Sequence, residues 1–186
     1  MNQDYAYEFR FLRAAEDSLK TYLLSNEIYW PLSVRPPAGA PPYPRFSLGW
    51  LLLYTRRLWS ARKDSSVAAV LKAIEETRHE WLSAWKKKAG LEFQSRLRLW
   101  SQYLNDYRSD RAVHAPRYRY EVQRRTMLAL LQEEAEEIPV EQLDLLVTLD
   151  AVLRSSLKPA PFIRDRQQAA AFPKERFWFL YGELKS

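Results

Sequence analysis

The chain has 186 residues, a formal net charge of +6 and no cysteine, which excludes disulfides and thiolate metal sites and is compatible with a reducing compartment. Hydrophobic residues make up 47% and charged residues 28%, the balance of a chain that buries a core and not of a disordered one. Four glycines are too few for a turn-rich β fold or a phosphate-cradling loop, so the expected fold class is all-α: a single-domain helical bundle of six or seven helices over residues 1–186.

Residues 4–25 read as the first helix, with Tyr5, Phe9, Leu12, Leu19 and Leu23 on one face and Asp4 as its N-cap. Six of the eleven prolines then fall in 31–44: Pro31, Pro36, Pro37, Pro41, Pro42 and Pro44. Each removes a backbone donor and fixes φ, which predicts an extended crossover over 31–46, running along the surface. Ser47 opens a helix over 47–62 whose stretch from Leu48 to Tyr54 is apolar nearly all round, the pattern of a central helix. Arg56, Arg57, Arg62 and Lys63 at its end suit the negative pole of the helix dipole.

From Asp64 an apolar stripe runs through Val67, Val70, Leu71, Ile74, Trp81, Leu82 and Trp85. It stays in phase through Ala89, Phe93, Leu97, Trp100, Leu104 and Tyr107. The preserved phase predicts one long helix over 65–108, bent at Gly90; the alternative is two helices with a turn at Lys88-Ala89-Gly90. Residues 109–115 read as a polar loop and Pro116 as the start of a helix reaching Glu137. Pro139 breaks it, 140–157 forms another helix, 158–161 is a loop, and a last helix lies near 173–184. Trp50, Trp81, Trp85, Trp100 and Trp178 are expected in the core.

Functional signals are sparse. Glu76-x-x-His79 matches the spacing of di-iron carboxylate bundles, but that chemistry needs a second copy, and His114, the other histidine, has no such partner; a solvated pair is the better reading. Asp150 and Arg154 fall inside the apolar arc of 140–157, four residues apart, and are expected to pair at the core edge. Two histidines, no cysteine and no Gly-x-Ser-x-Gly elbow mark no nucleophilic site. These signals lean against an enzyme, and no cofactor or metal is expected; an enzyme whose site forms only in three dimensions, around Asp150 and Arg154 or Glu76 and His79, is the third alternative.

Charge segregation is the clearest feature. Residues 126–150 carry seven acids and no Lys or Arg, whereas 91–125 carry eight arginines against four acids. The helix over 116–137 thus holds cations at its start and anions at its end, opposing its own dipole. Three arrangements would offset this: ion pairs within the chain, antiparallel pairing of the helix with its copy in a homodimer, or an anion held by Arg108, Arg111, His114, Arg117 and Arg119. Arg117-Tyr118-Arg119-Tyr120 with Arg124 and Arg125 also interleaves cations and rings, as single-strand nucleic-acid binders do. The segment Trp50-Leu51-Leu52-Leu53-Tyr54 suits core packing better than a membrane surface, and Pro41-Pro42-Tyr43-Pro44 suits a crossover better than a proline-domain ligand.

The expectation is an interaction or scaffold protein that binds itself or another protein, with nucleic-acid or anion binding through Arg108–Arg125 as the alternative. The first residues show no basic or apolar leader, and the run from Leu48 to Tyr54 is too short to cross a bilayer. A cytoplasmic protein without a transmembrane segment is expected.

Overall fold

The computed structural model describes residues 3–58, 64–164 and 166–186. It is an all-α bundle. The helices are α1 (Gln3–Leu24), α2 (Leu48–Arg57), α3 (Ser65–Glu80), α4 (Leu82–Ser109), the one-turn α5 (Arg111–His114), α6 (Tyr118–Glu134) and α7 (Val140–Ser156). Two three-residue strands, β1 (Leu157–Pro159) and β2 (Gly182–Leu184), pair antiparallel. No helix among the described residues is long and apolar enough to cross a membrane.

The stripe over 65–108 is helical, but its interruption is at Trp81 and not at Gly90. Trp81 has φ −115° and ψ 35°, while its N–H still donates to Thr77 O at 3.0 Å and its carbonyl accepts from Trp85 N at 2.9 Å. One residue leaves helical geometry and hydrogen bonding resumes on both sides. The apolar phase survives so short a break, which is why periodicity points to continuity. The break lets α3 pack on α1 and α4 pack on α6. Gly90 lies inside α4 and lacks any tight neighbour: an added Cβ would sit 3.5 Å from Glu137 O, ordinary contact.

As expected, α2 is central: none of its residues is exposed, and it packs against α1, α4 and α6, while α6 packs along α4. Tyr118, Val122, Met127, Leu128, Leu130 and Leu131 of α6 are all buried. The helix stops at Glu134, short of Glu137, with Ala135 extended at φ −71° and ψ 142°. Glu136 and Glu137 would place two more anions at a negative helix pole, so leaving the helix early relieves them. The polar segment before α6 is itself helical, through α5 and a 3₁₀ turn at Ala115–Arg117; Asp110 caps it by accepting from Val113 N at 3.1 Å.

The chain after Pro173 is not a helix. It makes a 3₁₀ turn at Trp178–Leu180 and then β2. Its backbone finds better partners outside itself: Tyr118 OH donates to Phe179 O (2.6 Å), Tyr107 OH donates to Lys185 O (2.7 Å), and β1 supplies the rest. Gly182 permits this pairing, since a Cβ there would press on Lys158 O at 3.1 Å and on Leu157 at 3.2 Å.

The proline segment forms no helix or strand between Trp30 and Phe46, which close it by a reciprocal backbone bridge, 2.8 Å each way. Gly39, at φ 78°, takes the left-handed position of a turn in which Ala40 N donates to Pro37 O. Tyrosines tie the segment to α1: Tyr43 OH donates to Tyr7 O (3.0 Å), Tyr7 OH donates to Pro42 O (3.2 Å), and the two rings lie 4.5 Å apart. Trp85 and Trp100 are fully buried, whereas Trp50, Trp81 and Trp178 are half-buried at the edge of the core.

Candidate functional site

Ion pairs within the chain absorb the segregated charges. Glu121, 1% exposed, pairs with both Arg117 and Arg124. Arg125 grips Asp150 of α7 through two hydrogen bonds of 2.7 Å each. Glu133 pairs with Arg176, and Glu134 accepts from Arg78 Nε and from Trp85 Nε1, both at 2.9 Å. These pairs, some within α6 and some between helices, offset part of the opposing dipole.

Two sequence-based pairings are corrected. Asp150 pairs with Arg125 and not with Arg154, whose guanidinium instead stacks 3.6 Å over the Trp178 ring. A two-pronged contact with a nearly buried partner outweighs a same-helix pair at the surface. Ser47 does not cap α2 with its own side chain; Glu92 of α4 does so from outside. Glu92, fully buried, accepts from Gly49 N at 2.9 Å and from Ser47 Oγ at 2.7 Å, and pairs with Arg96. The carboxylate sits where the free N–H groups and positive pole of α2 favour it.

Of the expected anion set, His114 and Arg117 come together and Arg119 turns away. Arg108 and Arg111 are exposed, and Arg111 lies over the Tyr107 ring. His114 Nδ1 is 3.4 Å from Arg117 Nη1, while Arg119 reaches the other way to donate to Ile163 O at 2.9 Å. Glu76 faces Lys72 and His79 faces Glu75, so that pair does not point at one ion. Among the described residues no group of His, Asp and Glu could hold a metal. Arg62 and Lys63 lie outside the described residues.

Of the arginine–tyrosine run, Tyr120 opens onto a cleft beside α6, and Arg124 onto a hollow that adjoins it. This cleft, about 580 Å³, lies between α1, the proline segment, α2 and α6, with Arg164 from the chain after β1. Tyr7, Tyr43, Trp50, Tyr54 and Tyr120 wall it, and Pro41 to Pro44 form one side. On its floor Arg57 Nη1 donates to Glu8 Oε1 at 3.0 Å, and Arg57 Nη2 donates to Gln123 Oε1 at 3.0 Å. Burial pushes the Glu8 carboxyl above the usual range, more than Arg57 lowers it. Burial and neighbouring Arg57 push Arg164 down to about 10, still a cation at neutral pH.

A second hollow of about 270 Å³ continues the cleft, sharing Pro44, Trp50, Tyr120 and Gln123 with it. Arg45, Arg96 and Arg124 line this arm with Tyr29, and none of its described lining residues is acidic. Tyr29 OH is 3.0 Å from Ser95 Oγ, which holds that wall in place.

Sequence reasoning assigned Trp50 and Tyr54 to the core and Arg57 to the helix dipole, and did not connect them to α1. One signal was available. Glu8 falls between Tyr5, Phe9 and Leu12 on the apolar face of the first helix, where an acid needs a partner. The partner, Arg57, lies 49 residues away, beyond the reach of local patterning. The chain matches no protein-family model, no curated protein and no solved structure.

Proposed function

We propose that the protein is a non-catalytic recognition module whose contact surface is the cleft between α1, the proline segment, α2 and α6. The observation that carries this is the lining: five rings with two guanidiniums and two carboxylates, Asp4 and Glu8. A concave, largely preformed pocket with aromatic walls and a few charged groups is the usual form of a binding site. The rings offer flat apolar contact; charges balance within the cleft, while the adjoining hollow, lined by Arg45, Arg96 and Arg124, favours a ligand that carries negative charge. The interaction role expected from the sequence is kept, and the surface that performs it moves from the face of α6 to this cleft.

The test uses the full chain purified at low salt, with a native mass spectrum and the NMR signals of the indole N–H groups. Pyrophosphate, an acidic hexapeptide and a short single-stranded oligonucleotide are presented in turn. Trp50, assigned by Trp50→Phe, should shift with at least one of them while Trp85 and Trp100 stay fixed, and Tyr120→Ala should abolish the shift. If none of the three moves Trp50 and no adduct is retained, the cleft is not a recognition site. A spectrum showing only a clean multiple of the 22.1 kDa chain would then return the role to self-association.

A further inference from the structure

We infer that the cleft and its arm together bind a nucleotide unit, with the base against Trp50 and Tyr120 and phosphate on the arginines to either side. The inference rests on the recognition reading above and names the ligand. Its ground is the order of groups along the trough. The basin holds Arg57 and Arg164 with Glu8, which pairs with Arg57, and with Asp4 on its lining. The arm holds Arg45, Arg96 and Arg124; Arg96 pairs with Glu92 and Arg124 with Glu121, and no acid is in its described lining. Trp50 and Tyr120 stand where the two hollows join.

Cation, ring, cation is the complement of phosphate, base, phosphate. Guanidinium forks match phosphate oxygens in planar, two-pronged contacts. Tyr120 is 64% exposed, so its ring is open to a stacking partner. Ring stacking tolerates any base, which suits a site without a hydrogen-bonding pattern of its own. The Gln123 amide is already engaged on both sides, its oxygen accepting from Arg57 and its nitrogen donating to Tyr120 O. Recognition by stacking would be indifferent to sequence. Burial, and then the like charges of Arg96 and Arg117, depress the Arg124 pKa. Crowding of guanidiniums on that side is what a bound phosphate would relieve.

An acidic peptide would meet the arginines but would leave the rings at the junction without a flat partner at each step. A nucleotide supplies both. The source of the unit, a free nucleotide or a strand, is left to competition.

The test is fluorescence anisotropy of a labelled single strand of about ten nucleotides with the full chain. Binding should appear at low salt, and log affinity should fall with log salt at a slope of about −1.4 to −2.1 for two to three phosphates. Tyr120→Ala should weaken binding by about five- to a hundredfold. Arg45→Glu should weaken it by about tenfold and flatten the slope by about 0.7. Both side chains are exposed, so thermal melting by circular dichroism should match the parent. Arg108→Glu, roughly three turns further along α4, should change affinity less than twofold.

Displacement by a mononucleotide at equal nucleotide concentration would assign the site to free nucleotides; displacement by strands alone would assign it to single-stranded nucleic acid. Absence of binding at low salt overturns the inference, as does equal weakening by Arg108→Glu, which would mean undirected charge attraction. If the strand fails while the acidic hexapeptide still shifts Trp50, the nucleotide is wrong and the recognition reading stands. If nothing shifts Trp50, both fall.

Discussion

Two helical glycines should respond to alanine with opposite signs, and the geometry sets each magnitude. At Gly49 a new Cβ would lie 2.6 Å from Glu92 Oε1 and 2.9 Å from Arg96 Nε. Neither partner can yield into solvent, since Glu92 is 0% and Arg96 4% exposed. The carboxylate must move off Gly49 N and Ser47 Oγ, which breaks the external cap of α2 and disturbs a buried ion pair. Breaking such a pair costs about 3–5 kcal/mol, and the better helix propensity of alanine returns about 1 kcal/mol. Gly49→Ala should therefore destabilise by about 2–4 kcal/mol, a fall in Tm of roughly 5–15 °C for a domain of this size. At Gly90 the nearest atom would be 3.5 Å away, so only the propensity gain remains and Gly90→Ala should stabilise by about 0.5–1 kcal/mol. Urea titrations read by far-ultraviolet circular dichroism, with the slope m checked for constancy, measure both. A neutral or stabilising Gly49→Ala would refute the view that the Glu92 carboxylate is fixed against α2.

Asp150→Ala should cost about 3–5 kcal/mol, because it strands Arg125, which is 7% exposed. Arg154→Ala should cost about 0.5–1 kcal/mol through the lost Trp178 contact. A double-mutant cycle between Asp150 and Arg154 should show coupling below about 0.5 kcal/mol, and a larger value would restore the same-helix pair. Glu8, with its pKa raised by burial, holds its proton more tightly folded than unfolded. Its contribution is thus fully present at low pH and lost as pH rises through the folded pKa. The stability of the parent relative to Glu8→Gln should accordingly grow as pH falls from 7 toward 4. A difference that shrinks over that range would show the Arg57 attraction to dominate instead.

Local patterns carried most of the helical elements, and for a physical reason: an apolar stripe at 3.6-residue spacing is a property of the segment itself. What lay beyond local reach was decided by contacts distant in sequence. The span 173–184 has helix-compatible spacing at Phe177, Leu180, Tyr181 and Leu184, yet it becomes a turn and a strand. Tyr107, Tyr118 and β1 take up its backbone groups from elsewhere in the fold. Trp81 interrupts a stripe whose phase it does not disturb, so the break leaves no periodic signature. Asp150 was legible as a buried acid needing a cation, while the choice between Arg154 on its own helix and Arg125 on the neighbouring one depended on how α6 and α7 pack.

The site was legible in its chemistry and not in its place. Arginine–tyrosine interleaving in 117–125 suggested a ligand, but helical geometry turns alternate residues to opposite sides. Tyr118 goes inward to Phe179, Arg125 to Asp150 and Arg119 to Ile163, which leaves Tyr120 at the cleft and Arg124 at the hollow that adjoins it. The remaining walls come from α1, α2 and the proline segment, each with a local explanation that concealed its share. Arg57 suits a helix pole, Trp50 suits a core, and Pro41 to Pro44 suit a crossover. The same proline segment that prevents helix also holds Tyr43 rigidly against Tyr7. A wall built of prolines loses little further entropy when a ligand seats against it, so this cleft is suited to bind without first being ordered.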